Sequence, residues 1–303
     1  MTSTLDKIDS KDISVVVQGP VDSNFLPLVT SRIRELLPQS EIILSTWEGT
    51  SVPKSASCND IVFSKDPKGV IDPSRDIPNN LNRLVLSTRA GLRKASRKYS
   101  LKIRTDLVLD SLDFLNYFEK YQERNSDYIL FEKRIITSSF FCKKHLGRKY
   151  KMPVPYHIGD WIFFGLTSDL KILWDIPLAK EPHFTYYFLQ FPYKGAKFDG
   201  YGVAHKMAPE QYIFVEAIKK KHSLCFETYL DYDSFHIKNS HHFIINNFIV
   251  IDPPDWKFYS LKQPYKKWTK DIKNLPSEIY NGIYRRDVFE QDYNLYFKME
   301  SHK

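Results

Sequence analysis

The feature that most constrains this chain is an alternation repeated near its start. A β-branched run, Ile13-Ser-Val-Val-Val17, reads as a buried strand. Leu26, Val29, Ile33 and Leu36 then recur at helical spacing, which predicts an amphipathic helix over residues 27–37, with Pro38 just past its end. Glu41-Ile-Ile-Leu-Ser45 and Asp60-Ile-Val-Phe63 read as two further strands. Strand, helix, strand in that order predicts parallel pairing through right-handed crossovers. The expected fold class is α/β: a Rossmann-type, mostly parallel sheet flanked by helices.

Each of these strands ends in a polar loop. The first stops at Gln18-Gly19-Pro20, where glycine lets the backbone approach a ligand and proline fixes the turn. No further glycine follows at the spacing of a dinucleotide fingerprint. The second strand ends in Thr46-Trp47-Glu48-Gly49 and the third in Ser64-Lys65-Asp66-Pro67. In open α/β sheets, ligands collect at such strand ends. A loop over residues 72–78 precedes a long helix, expected over residues 80–98, with Leu81, Leu84, Val85, Leu92 and Ala95 as its apolar stripe. Asn82 and Arg83 fall in its first turn. An arginine there works against the helix dipole, so Arg83 either serves a ligand or buried partner or is simply solvated.

The helix leads into Tyr99-Ser-Leu-Lys-Ile-Arg-Thr-Asp-Leu-Val-Leu-Asp110. The run Leu101 to Ile103 predicts a fourth strand, ending on Arg104, Thr105 and Asp106. A carboxylate at a strand end can hold a hard divalent cation and, through it, a diphosphate. An adjacent arginine pairs well with phosphate oxygens. The plain alternative is a surface ion pair.

Charge narrows the partners. A net charge of +8 and a pI near 9.1 favour an anionic partner: a nucleotide diphosphate, nucleic acid or an acidic membrane surface. The basic residues are dispersed and no recognition motif appears, which argues against nucleic acid. Lys219 to Lys221 fits a helix end. Cys58, Cys142 and Cys225 are too far apart for a disulfide framework or a cysteine zinc site, which suits a reducing compartment. Residues 1–11 are polar, and no apolar run reaches the length of a membrane span. The expectation is a cytoplasmic protein, held at most to the inner face of the cytoplasmic membrane by its surface.

In the second half, residues 111–121 read as a helix and 127–131 as a strand. Residues 134–155 read as a basic, irregular loop or lid. Asp160, after Tyr156-His157-Ile-Gly159, enters the aromatic run Ile162-Phe-Phe-Gly165. A carboxylate there is expensive unless it is paired or used, so Asp160 is a site candidate. His157 is more simply a partly buried, hydrogen-bonded histidine. Residues 182–198 carry His183, Phe184, Tyr186, Tyr187, Phe188, Phe191 and Tyr193, either core packing or a platform for sugar rings. Pro209 and Glu210 suit a helix start, with Glu210 either facing a cleft or capping the dipole. His241 and His242 would point oppositely on a strand. Residues 244–251 form the last apolar run. After Pro253-Pro254, Trp256, Phe258, Tyr259, Tyr265 and Trp268 alternate with lysines. That pattern suits either an anionic membrane interface or an extension packed across the domain. The division expected is a domain over 12–252 and an extension over 253–303.

Taken together, Val17-Gln-Gly-Pro20, the 41–49 run, Asn80-Leu-Asn-Arg83 with Ser87 and Gly91-Leu92, and Leu101-Lys-Ile-Arg-Thr-Asp106 resemble the WavE-type lipopolysaccharide-synthesis proteins. His157-Ile-Gly-Asp160-Trp161, Pro209-Glu210-Gln211 and Asn246-Asn247-Phe248 fit as well, so the resemblance covers roughly residues 12–255. It implies a GT-A-like glycosyltransferase with a nucleotide-sugar donor, UDP-linked, and a glycan or lipid-linked acceptor. The product would be a bacterial surface glycan: lipopolysaccharide, O-antigen or capsule. The donor would contact Gln18, Gly19, Pro20, Trp47, Ser64, Asp66, Asn82, Arg83, Arg104, Thr105 and Asp106. Glu210 or Asp160 would be the general base of an inverting displacement. In such folds a strand-end Asp-x-Asp carries Mg or Mn; here Asp106 and a late histidine, His242, would be the metal residues. Only one aspartate of that motif is present, because Arg104 stands at the other position. Two rivals share the evidence: nucleotidyl or polyol-phosphate transfer on the same fold, and a non-catalytic sugar-binding subunit.

Overall fold

The computed structural model describes residues 8–73, 76–146, 152–191 and 204–300. Its central sheet is built from β1 (Ile13–Gln18), β2 (Glu41–Trp47), β3 (Asp60–Ser64), β4 (Tyr99–Arg104), β5 (Ile135–Ser138), β6 (Ile162–Leu166) and β7 (Phe248–Ile251). Their order is β7-β5-β6-β4-β1-β2-β3. All pairings are parallel except those of β6, which runs against both neighbours. Every residue of β1 is buried, as expected for a strand covered on both faces. Gln18 of β1 stands level with Ser45 of β2 and Arg104 of β4, so three carboxyl ends share one edge.

The helices of eight residues or more among the described residues are α1 (Phe25–Leu36), α2 (Leu81–Lys94), α3 (Thr167–Trp174), α4 (Pro209–Lys219), α5 (Ser234–Asn247) and α6 (Arg286–Glu300). Alternate residues of each strand serve opposite layers. Val16, Ser45 and Lys102 point towards α2 and α3: Ser45 Oγ donates to the Ser87 carbonyl at 2.7 Å, and Lys102 Nζ lies 5.2 Å from the Trp174 ring centroid. On the other face, Phe164 packs against Tyr99, Phe114 and Phe118, and Phe114 stacks on Trp256 at 4.5 Å. Trp256 and Phe258 are thus buried structural groups. The 253–300 segment is joined to the sheet domain by a ribbon in which Phe258–Ser260 pairs antiparallel with Leu107–Leu109.

Several sequence expectations need correction. Residues 111–121 hold only a 3-10 helix, Asp113–Tyr117. Residues 127–131 form no strand. The Leu130 N–H donates to Asn247 Oδ1 and those of Glu132 and Lys133 to Asp169, so side chains replace ladder partners. The supposed loop at 134–155 contains β5, a run too short to show a period. His241 and His242 lie on a helix, started by the Asp233 carboxylate accepting from the His236 N–H at 2.9 Å. Of the 182–198 aromatics, Phe184 is core, packed on Tyr212, while Tyr193 lies outside the described residues.

Gly91 is where α2 touches the sheet most closely. A Cβ there would meet Val16 Cγ1 at 2.4 Å and Ser45 Cβ at 3.1 Å. Gly91→Ala gains about 1 kcal/mol of helix propensity, but overpacking against a fixed strand should cost about 2–3 kcal/mol. A lower denaturation midpoint is expected; one equal to wild type would mean that helix and sheet separate freely.

Candidate active site

The edge where β1, β2 and β4 end is held by short backbone links. The Gly19 N–H donates to the Ser45 carbonyl at 3.1 Å and the Thr105 N–H to the Gln18 carbonyl at 3.1 Å. Gly19 has φ 132°, and a Cβ on it would sit 3.0 Å from Thr105 Oγ1. Glycine is therefore required both by conformation and by the close approach of the β4 loop. Thr105 Oγ1 itself donates to the Pro20 carbonyl at 2.8 Å.

At the end of β4, Arg104 and Asp106 form a two-pronged pair: Nε to Oδ1 at 2.9 Å and Nη2 to Oδ2 at 2.8 Å. The guanidinium lies 4.3 Å from the Trp161 ring centroid. Lys262, from the segment after the Phe258–Ser260 strand, brings Nζ to 3.2 Å from Asp106 Oδ2. The Asp106 side chain is only 3% exposed. Burial alone would raise its pKa, but the charge and hydrogen bonds of Arg104, then Lys262, outweigh that and hold it below 3.8.

Beyond this pair lies a cleft of about 420 Å³, within the size range of small-molecule sites. Gln18, Gly19, Pro20, Trp47, Arg83, Arg104, Thr105, Asp106, Asp160 and Glu210 all line it, with Asn80, Leu81, Leu84, Pro209 and Lys262. A smaller cavity of about 270 Å³ between α2 and α3 has Asp175 as its single lining carboxylate, already paired with Arg93 at 2.8 Å. Three of the carboxylates expected at the site, Asp106, Asp160 and Glu210, line the larger cleft.

Two carboxylates reach the cleft from different elements. Glu210 follows Pro209 in the first turn of α4, whose entry is fixed by the Ala208 N–H donating to Gln211 Oε1 at 3.2 Å. His157 Nε2 stands 3.9 Å from Glu210 Oε2, beyond hydrogen-bond reach. Burial, then the Lys143 charge, pushes His157 well below 6.5, so the imidazole is neutral and the contact is not an ion pair. Asp160 precedes β6, and its main-chain carbonyl accepts from Lys102 Nζ. Lys102 is fully buried; burial pushes its pKa down to about 7 against the attraction of Asp160.

Other expected site residues lie behind the cleft or away from it. Asp66 backs Arg83 through bonds of 2.7 Å to Nε and Nη2, which answers the question of what that helix-start arginine serves. Burial opposes less than the Arg83 hydrogen bonds favour the carboxylate, and Asp66 falls to about 2. Asn82 clips the chain at Ala179, with bonds of 2.9 and 2.8 Å, and Ser64 accepts from the Glu48 N–H; neither lines the cleft. His242 does not join Asp106. Its helix places it against Tyr128 and Tyr296. Lys102 and Lys262 were missed. One was hidden inside an apolar run, the other inside an aromatic-basic stretch with no local signature.

The residues present do not fit a divalent cation. Such ions are held through one or two carboxylates, with water and substrate phosphates completing the shell, and the strand-end carboxylate that would serve has both oxygens already facing cations. No cluster of three His, Cys, Asp or Glu suited to a metal occurs among the described residues. Likewise, no helix among them is long and apolar enough to cross a membrane.

The buried lysine gives a pH test. Its folded pKa, about 7, lies below the ordinary 10.5, so the unfolded chain binds the proton more readily between those values. Lys102 should therefore make stability rise with pH through that window, by at most about 1.4 kcal/mol per pH unit. Urea unfolding of Lys102→Met should lack that rise; an unchanged slope would mean the amine is not desolvated.

Comparison with curated proteins finds no match. The family model described as WavE lipopolysaccharide synthesis matches residues 13–295. That span runs from the first strand through Lys262 and most of α6, and the chain belongs to this lipopolysaccharide-synthesis family.

Proposed function

We infer that this protein is a glycosyltransferase of GT-A-like architecture, which moves a sugar from a nucleoside-diphosphate donor to a hydroxyl of a growing surface glycan. The observation that carries this is the Arg104–Asp106 pair at the carboxyl end of β4, opening on a cleft that also holds Gly19, Asp160 and Glu210. Ligands of open α/β sheets lie at such an edge. Gln18 and the Gly19 loop would meet the nucleotide, and Arg83 and Trp47 would border it.

A cleft lined by both cations and carboxylates suits a direct displacement. The acceptor oxygen attacks the anomeric carbon as the bond from that carbon to the diphosphate oxygen breaks. The nucleoside diphosphate leaves with the electron pair, and the hydroxyl proton passes to Glu210 or Asp160. One such displacement inverts the anomeric centre. General-base assistance is worth on the order of 10²–10⁴-fold.

The test is incubation with a panel of nucleotide sugars and lipid-linked or oligosaccharide acceptors, with product analysis. Release of nucleoside diphosphate with a new glycoside is expected. Release of pyrophosphate or nucleoside monophosphate would mean nucleotidyl or phosphoryl transfer instead, and tight binding without turnover would mean a sugar-binding subunit. Asp106→Asn should lower turnover by on the order of 10²-fold or more while the circular dichroism stays native. Of Glu210→Gln and Asp160→Asn, the variant that loses the base should fall by a similar factor. Near wild-type turnover in all three would remove the site assignment.

A further inference from the structure

We propose that Arg104 and Lys262 take the place of a divalent cation: they bind the donor diphosphate and neutralise the departing nucleoside diphosphate, so transfer needs neither Mg nor Mn. This rests on the nucleotide-sugar reading above and adds to it a binding residue and a metal independence.

Three observations converge. First, Asp106, the strand-end carboxylate that would hold a cation, is nearly buried and is bonded by Arg104 on both oxygens, with Lys262 at 3.2 Å from one of them. Two positive charges against one negative charge disfavour a divalent cation at that carboxylate and attract a diphosphate. Second, the Arg104 guanidinium is oriented by Trp161 and by Asp106 through Nε and Nη2, which leaves Nη1 without a partner among the described residues. The side chain remains 28% exposed, so a donor group borders the cleft already aligned. Third, the main chain beside Lys262 is pinned. The Leu261 N–H donates to the Asp106 carbonyl at 2.8 Å and the Lys262 N–H to Ser260 Oγ at 3.2 Å. The Lys262 side chain is 46% exposed, so its ammonium can pass from Asp106 to a phosphate oxygen by rotamer change alone. Asp106 then acts as a positioning residue that keeps the two cations together.

Calorimetric titration with UDP, GDP, ADP and CDP, in EDTA and in excess Mn, decides the matter on the wild-type protein. At least one should bind in EDTA, with an affinity within about threefold of that in Mn. Lys262→Ala should weaken that diphosphate by about 10-fold or more, affect the matching nucleoside monophosphate much less, and be rescued by Lys262→Arg. Binding that appears only with Mn would overturn the proposal and leave the nucleotide-sugar reading standing. Binding of none of the four under either condition would overturn both. Undiminished binding by Lys262→Ala would remove Lys262 from the site.

Discussion

One carboxylate holds the working edge of this molecule together. Asp106 sits almost out of contact with water, where an unpartnered ionised group is very costly. The fork to Arg104 and the ammonium of Lys262 offset that cost, and each draws in a different part of the chain. Arg104 is the last residue of β4. Lys262 belongs to the segment after β7, and the Asp106 carbonyl itself accepts from the Leu261 N–H. The ribbon of Leu107–Leu109 with Phe258–Ser260 continues the same attachment. Losing the carboxylate would leave two cations side by side and remove the side-chain tie to Lys262, while the main-chain ribbon stays in place.

This makes the C-terminal segment part of the site wall. Trp256 stacks on Phe114 beneath the sheet, and Arg286 bonds both the Tyr117 hydroxyl at 2.7 Å and Asp255 at 2.9 Å. The aromatic-basic alternation after Pro253 therefore has an internal use in part: Trp256 and Phe258 are buried in the core, Trp256 on Phe114, while Lys262 reaches the cleft. A membrane-facing pattern and a packed one look alike in sequence, because both alternate rings with lysines. Burial separates them, and burial is set by the ribbon pairing with a strand some 150 residues earlier.

How much was legible follows the same line. The first four strands, α1 and α2 were readable because each carries its own periodicity, and strand-end polar loops announced the edge where Gln18, Gly19 and Arg104 meet. The elements that were misread are those whose polar groups are satisfied from a distance. The stretch before β5 reads as a strand, yet Asn247 and Asp169 take its N–H groups. β5 itself is a four-residue strand held by β6 and β7, both later in the chain. His242 was placed near Asp106 through the family resemblance, whereas the Asp233 cap, a local signal that was available, turns that stretch into a helix. Lys102 could not be found from pattern at all, since a lysine in a buried strand breaks the rule that locates cores.

The direction of β6 explains why the carboxylate Asp160 is in the cleft. In an all-parallel sheet, residues preceding a strand lie at the amino edge, away from the ligand edge. β6 runs antiparallel, and Ile162 pairs with Ile103, so its start lies level with the end of β4. Asp160, two residues earlier, is thereby carried to the edge where Arg104 and Asp106 sit. Lys102 then fixes the approach from below by donating to the Asp160 main-chain carbonyl. α4 delivers Glu210 by a different route, as the start of a helix pointing at the same cleft. A single reversed strand thus puts a carboxylate beside the cations of a parallel-strand edge without any long insertion. The same reversal hides it from the sequence, because strand direction is a property of the connections and not of the residues within the strand.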